Sequence, residues 1–287
     1  MTSVRVRAPA TSANLGPGFD CAAVALDLWN ELDVSDGDGV EVVGEGAGNV
    51  ELGPAHLGLR AFARIAPIDG KRFVFRNRIP VGRGLGSSAA TVALGLVAAT
   101  LSLGRWPEPE PLLRAGFDLE GHGDNLAAAL AGGACLTWER DGVRRLARIA
   151  LTLPLVPIAV IPDSSVETAE ARAALPTAVP HADAAFTLSR AVLLGAALAS
   201  GEGDLLADAF VDRLHEPYRS AGAPLLALLR AHLPVGAAGV TLSGSGPAVI
   251  VWARYDGAAS CVAELRDRLP REEVRQLALS PFGAGPA

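Results

Sequence analysis

The chain has 287 residues, half of them hydrophobic and a fifth charged, with 25 basic against 31 acidic side chains and a formal net charge of −6. That supply of apolar residues builds a packed core and excludes a disordered chain, and the length fits two domains better than one. No large positive field exists, so nucleic acid and anionic membrane are not expected partners, and any bound anion is held locally. Lys71 is the only lysine. It stands outside any Walker-type phosphate loop, which needs a lysine of its own. Arginine, backbone amides or a metal must therefore handle phosphate. Cys21, Cys135 and Cys261 lie far apart with no C-x-x-C pair, which reads as a reduced, cytoplasmic compartment. Residues 1–7 look strand-like rather than signal-like. The longest apolar stretch, residues 89–103, is too short to span a bilayer and reads as a buried helix.

In chain order, Val4, Val6 and Ala8 alternate with arginines as in a half-buried strand, and residues 9–18 read as a loop rich in Ser, Asn, Gly and Pro. Residues 22–32 read as strand, 33–48 as strand and turns, 57–65 as helix and 73–78 as strand. The clearest helical spacing follows, with Ala89, Val92, Ala93, Leu96, Val97, Thr100 and Leu101 on one face and Ser87 or Ser88 as N-cap. Helices are expected over 111–119 and 124–131, then a strand at 134–138 and a turn at Asp141-Gly142. The pattern changes near residue 150. Beyond it come a strand (156–161), helices (167–174, 182–199, 204–214, 224–232), two strands (238–242, 248–253), a helix (257–269) and a strand (274–279). Strands and helices mix without strict alternation, so the fold class is α+β, divided into residues 1–150 and 151–287.

Pro80-Val81-Gly82-Arg83-Gly84-Leu85-Gly86-Ser87-Ser88-Ala89-Ala90 is the strongest chemical feature. Its glycines let backbone approach a ligand, and the helix behind it offers unpaired N–H groups and a positive dipole end. A polyphosphate fits such a site without lysine. Read alone, it is equally a glycine turn with a capped helix. Residues 8–20 place Asn14 and Asp20 around a rigid Gly16-Pro17-Gly18, and an Asx-type turn is the alternative. In Glu120-Gly121-His122-Gly123-Asp124-Asn125, Asp124 is equally a helix cap. Thr168 and Arg172 share one helix face. Arg219 follows His215-Glu216-Pro217-Tyr218. Residues 242–248 read as a tight turn between strands.

Gly84-Leu85-Gly86-Ser87-Ser88-Ala89-Ala90 resembles the phosphate loop of the galactokinase, homoserine, mevalonate and phosphomevalonate (GHMP) kinase superfamily. The Asn14–Asp20 string and residues 120–125 resemble its homoserine kinase branch, with Gly123 where that branch has proline. The other motifs follow in family order up to residue 248. The resemblance implies a ribosomal-protein-like N-terminal α/β domain binding ATP and a ferredoxin-like C-terminal sandwich. It assigns residues 80–90 to ATP and Ser87 with Glu120 to Mg²⁺. Asn14, Asp20, His122, Asn125, Arg172 and Arg219 would bind substrate, with Asp20 toward an ammonium and the two arginines toward a carboxylate. Thr168 and Arg172 take the catalytic positions. Paired guanidiniums suit bidentate carboxylate recognition. The implied activity is ATP-dependent phosphorylation of L-homoserine by a cytoplasmic enzyme, and dimers are common among such enzymes. A sister kinase acting on mevalonate or a sugar and a non-catalytic regulator of the same fold are the alternatives.

Overall fold

The computed structural model describes residues 3–50 and 52–287. Two mixed layers of helix and sheet make an α+β molecule. The first sheet is built on β1 (Val4–Asn14) and the 19-residue β2 (Gly18–Asp36). They pair antiparallel from Val4↔Val34 to Asn14↔Gly18. Around them lie β3 (Gly39–Gly44), β4 (Lys71–Asn77), β5 (Ala134–Arg140) and β6 (Val143–Ala150). With β11 at Gly285–Pro286, the strand order is β11-β1-β2-β4-β3, with β5 joining β2 and β6 joining β5. The short β11 returns from the far end of the chain to the edge of β1.

Residues 9–14 were expected as loop and are strand. Ala10, Thr11, Ser12 and Ala13 are small and almost fully buried, so ladder pairing with β2 overrides their turn-like composition. The strand β6 was not foreseen, because Arg144, Arg145 and Arg148 obscure its alternation.

Helices α1 (Leu57–Ala63), α2 (Ser87–Ser102), α3 (Pro109–Glu120) and α4 (Asp124–Ala131) accompany this sheet. The α2 sequence is apolar all round, as suits a helix buried on most sides. Leu94, Leu96, Val97 and Ala98 are fully buried. Its N-cap is Gly86 in the left-handed region, and no side chain caps it, so neither Ser87 nor Ser88 plays that part.

The second sheet has order β10-β7-β9-β8, from β7 (Val156–Ile161), β8 (Ala237–Leu242), β9 (Val249–Ala253) and β10 (Glu273–Gln276), all neighbours antiparallel. With its helices this gives the βαββαβ ferredoxin-like arrangement. Between β7 and β8 run α5 (Thr168–Ala173), α6 (His181–Ser200), α7 (Gly203–Ala209), α8 (Glu216–Arg219) and α9 (Pro224–Ala231). α10 (Ala258–Arg268) joins β9 to β10. The expected helix over 204–214 ends at Ala209, and Asp212 there turns the chain into the unforeseen α8. By length and composition α6 is apolar enough to cross a membrane. It packs on α7, and it carries Asp183 and an Arg190–Phe186–Arg213 stack on its flank. One hydrophobic cluster spans both sheets, from Val6, Phe75 and Leu96 to Ile250 and Trp252.

Candidate active site

A cavity of about 560 Å³ lies where the end of β1, the glycine loop before α2, the start of α4, α5 and the β8–β9 turn converge. That size suits a small-molecule site. It is lined by Asn14, Asp20, Pro80, Val81, Gly82, Gly84, Gly86, Ser87, Ser88, His122, Asn125, Thr168, Arg172 and Arg219 among others. Segments far apart in the chain therefore meet at one place.

The glycine loop is fixed from behind by backbone. Val166 N donates to Gly82 O at 3.1 Å, and Ala248 N to Arg83 O at 3.1 Å. Thr11 N donates to Leu85 O at 3.0 Å, and Leu85 is fully buried. The Arg83 guanidinium donates to the Pro162 carbonyl. Gly84 has φ +83°, and a Cβ there would lie 2.2 Å from the Ser243 carbonyl oxygen. Gly86 has φ +68°, and its Cβ would lie 1.9 Å from Thr11 Oγ1. The glycines are thus required by conformation and by the closeness of neighbouring chain. Behind the loop α2 begins with uncapped amides at Ser87, Ser88 and Ala89, while Ala90 N already donates to Gly86 O. These amides and the dipole end face the cavity and suit an anion.

Ser88 Oγ donates to Glu120 Oε2 at 3.1 Å. Ser87 stands beside it, its carbonyl accepting from Thr91 Oγ1 at 2.9 Å. Burial pushes the Glu120 carboxyl above its usual range. A carboxylate held in that way gains from a hard cation, so two hydroxyls and Glu120 make a reasonable oxygen donor set. Glu120 flanks the cavity rather than lining it.

Further charged groups line the cavity. Arg172 and Asp20 form a bidentate pair, Nη1 to Oδ2 at 3.0 Å and Nη2 to Oδ1 at 2.6 Å. The Asp20 hydrogen bonds raise the guanidinium's pKa despite partial burial. Thr168 Oγ1, one turn earlier on α5, lies 3.4 Å from Ser245 Oγ. Asn14 is buried and bridges two segments: Nδ2 donates to Gly244 O at 2.9 Å and Oδ1 accepts from Asp20 N at 3.1 Å. Asn125 Oδ1 accepts from Thr11 Oγ1 at 2.7 Å, which ties α4 to β1.

His122 Nδ1 meets Asp124 Oδ1 at 3.0 Å. Burial alone would lower the imidazole's pKa, but the Asp124 bond and the Asp124 and Glu120 charges leave it raised. Asp124 is no helix cap, since Gly123 holds that position, and its carboxylate also accepts from Asn125 N.

Arg219 is only 6% exposed and makes no ion pair among the described residues. Its donors reach Gly244 O at 3.3 Å, Ala171 O at 3.4 Å and His215 Nδ1 at 3.2 Å. Burial, then the charge of Arg172, pulls its pKa below the usual arginine value. The charges of Asp20, Asp124 and Asp212 offset part of that cost from a distance, but a buried cation with no contact ion pair stays costly, so this side of the cavity suits an anion. Both arginines lie over one ring, Phe19, at 5.8 Å for Arg172 and 5.2 Å for Arg219.

At the other end of the cavity Val50, Leu57, Pro80 and Val81 make an apolar slot with His56 and Asn77. The buried Asn77 Oδ1 has no hydrogen-bond partner among the described residues. His56 packs against Phe75 with the ring planes tilted by 42°, and its Nδ1 accepts from Gly58 N.

Residues 50–133 match the family described as GHMP kinases N terminal domain. A homoserine kinase of Moorella thermoacetica is 41% identical over 259 residues, covering 87% of this chain and 87% of that protein. The chain belongs to the homoserine kinase family. A second member, from Gloeobacter violaceus, is 40% identical and covers 97% of both chains. Among solved structures, a homoserine kinase from Cytophaga hutchinsonii superposes with a TM-score of 0.89 at 26% identity, covering 99% of this chain and 97% of that one. A Methanococcus jannaschii mevalonate kinase superposes with a TM-score of 0.72 at 12% identity, a likeness of fold alone.

Set in this family, the sequence motifs do not give a task to every group in and behind the cavity wall. Phe19, the platform beneath both arginines, carries no signal beyond its place next to Asp20. Asn77 sits on the buried face of β4 with Phe73 and Phe75, so alternation places it inward but gives it no task. His215, four residues before Arg219, is one helical turn away, a spacing that does announce contact.

Proposed function

We propose that this homoserine kinase family member transfers the γ-phosphoryl group of ATP to the side-chain hydroxyl of L-homoserine, giving O-phospho-L-homoserine and ADP on the route to threonine. The observation that carries the reading is Arg219, a buried guanidinium with no carboxylate partner, beside the Asp20–Arg172 pair. An amino acid supplies both complements, an α-carboxylate for the arginines and an α-ammonium for Asp20. A mevalonate or sugar acceptor lacks the ammonium.

Residues 80–90 and the α2 amides would cradle the triphosphate. The apolar slot suits a purine ring, and the unpartnered Asn77 Oδ1 suits the 6-amino donor of adenine. Ser87 and Glu120, with Ser88 alongside, would hold Mg²⁺. The ion supplies charge neutralisation on the phosphate oxygens. In the transfer, the homoserine hydroxyl oxygen would bond to the γ-phosphorus, the bond to the bridging β–γ oxygen would break with its electron pair staying on ADP, and the hydroxyl proton would pass to solvent. Such chemistry depends mainly on positioning and on electrostatic stabilisation. Asn14, Asp20, His122, Asn125, Arg172 and Arg219 would aim the acceptor, with Thr168 closing the pocket beside Ser245. The same reading gives residues 1–150 to nucleotide binding and draws Thr168, Arg172 and Arg219 from residues 151–287, in a cytoplasmic enzyme.

The test is ADP release with Mg²⁺–ATP and L-homoserine, mevalonate, galactose or no acceptor. Turnover specific to L-homoserine is expected. Turnover with another alcohol alone discards the acceptor assignment and keeps the ATP site. Silence with every acceptor, together with no ATP binding, points to a regulator.

A further inference from the structure

His215 is fully buried at the start of α8 and is held on every side. Its ring stacks on Phe19, with centroids 4.9 Å apart and planes 22° apart. Nε2 lies 2.8 Å from the carbonyl oxygen of Gly16, in the turn between Asn14 and Asp20. Nδ1 lies 3.2 Å from Arg219 Nη1. A carbonyl oxygen only accepts and a guanidinium only donates. The two contacts are satisfied together in one form alone, the neutral imidazole with its proton on Nε2. The imidazolium would set an N–H against the Arg219 N–H.

Asp212 fixes the backbone that carries the ring, and its Oδ2 lies 3.6 Å from Nε2, on the same side as the Gly16 carbonyl acceptor. Its Oδ2 accepts from His215 N at 2.7 Å and Glu216 N at 2.9 Å, and its Oδ1 from Leu214 N at 3.0 Å. Thr187 Oγ1 on α6 donates to the same carboxylate at 3.3 Å. The charged groups acting on the ring are Asp212, Arg219 and Asp20, and burial keeps the imidazole less basic than usual.

We propose that His215 is a positioning residue that fixes the Arg219 guanidinium and joins it, through Gly16, to the turn bearing Asp20. The imidazole thereby sets the distance between the carboxylate end and the ammonium end of the acceptor subsite. It touches neither substrate nor phosphate. Phe19 completes the unit, with the imidazole stacked on its ring and both guanidiniums over it. This inference rests on the homoserine reading above.

The test compares His215→Leu, which keeps volume and loses both hydrogen bonds, with His215→Gln, whose amide carries a donor and an acceptor. For His215→Leu the homoserine KM should rise about 10- to 100-fold, the cost of losing a hydrogen bond to a charged group. The KM for ATP and kcat should stay within about twofold, since ground-state binding of one substrate is affected. His215→Gln should recover most of the loss. An unchanged homoserine KM in His215→Leu overturns the proposal. So does an equal rise in both KM values with no recovery by glutamine, the mark of a structural role. Should His215→Leu fail to fold, nitrogen chemical shifts of the wild-type imidazole at neutral pH decide. A proton on Nε2 alone supports the proposal, and a proton on Nδ1 overturns it. Absence of homoserine turnover in the wild-type protein sinks the functional reading and the substrate half of this one. The tautomer measurement still decides whether His215 holds Arg219.

Discussion

Arg172→Ala gives the sharpest test of how the acceptor is held. In the structure the guanidinium gives both Nη donors to Asp20, with side-chain exposures of 37% and 38%. A pair so open to solvent is worth at most about 1 kcal/mol. Homoserine would exchange that one ion pair for two, its carboxylate meeting Arg172 beside Arg219 and its ammonium meeting Asp20. Charge-assisted hydrogen bonds contribute about 1.5–3 kcal/mol each, so a bidentate contact contributes roughly 3–6 kcal/mol. Two corrections reduce the measured loss. The wild-type enzyme gives up the Asp20 pair on binding, and the variant's Asp20 is free to take the ammonium. The net expectation is about 2–4 kcal/mol, or roughly a 30- to 1000-fold rise in the homoserine KM. Initial rates at saturating Mg²⁺–ATP with homoserine varied measure it, and the KM for ATP is the control. An unchanged homoserine KM would refute the clamp. A rise in the ATP KM of the same size would show that α5 had moved rather than lost a contact.

Three further outcomes are expected. Gly84→Ala places a Cβ 2.2 Å from the Ser243 carbonyl oxygen at φ +83°, so it should cost about 2 kcal/mol or more of stability. Thermal melting and the KM for ATP report this, and a wild-type melting temperature would contradict the packing of the two glycine turns. Glu120→Gln should raise the Mg²⁺ concentration for half-maximal rate by about 10- to 100-fold. An unaltered Mg²⁺ dependence would leave Glu120 as a partner of Ser88 only. Glu216 is buried at α8, with Oε1 accepting from Leu242 N and Oε2 in an ion pair 2.7 Å from Arg230 Nη2. Burial pushes its carboxyl up to about 7 from 4.5. Between those values the folded protein holds a proton that the unfolded chain has released, so stability falls as pH rises from 4.5 to 7 and levels off above. The decline should be on the order of 3 kcal/mol. Urea unfolding across that range should show it in the wild type and not in Glu216→Gln. The same slope in both proteins would assign the proton elsewhere.

The sequence was most legible where local rules act. A long apolar run of helix-forming residues announced α2, and Val156–Ile161 matched its strand limit for limit. It was least legible where partners come from a distance. Residues 9–14 look like a turn until β2 pairs with them. Ser87 and Ser88 look like caps until Gly86, pressed against Thr11, takes the N-cap position with its backbone alone. The glycine loop, Asp20, Arg172 and Arg219 were all visible as residues, but nothing along the chain tells which of them hold each other.

By itself, the sequence determined the α+β class, the glycine-rich loop ahead of a helix and the family, because these depend on residue type and short spacing. Tertiary structure alone decided the charge balance of the site. Asp20 and Arg172 pair across 152 residues, and His215 reaches Gly16 across 199. Burial strips Arg219 of water while the carboxylates that act on it, Asp20, Asp124 and Asp212, make no ion pair with it among the described residues. Whether a charge is paired depends on which distant groups folding brings within hydrogen-bond reach, and on how much water it removes.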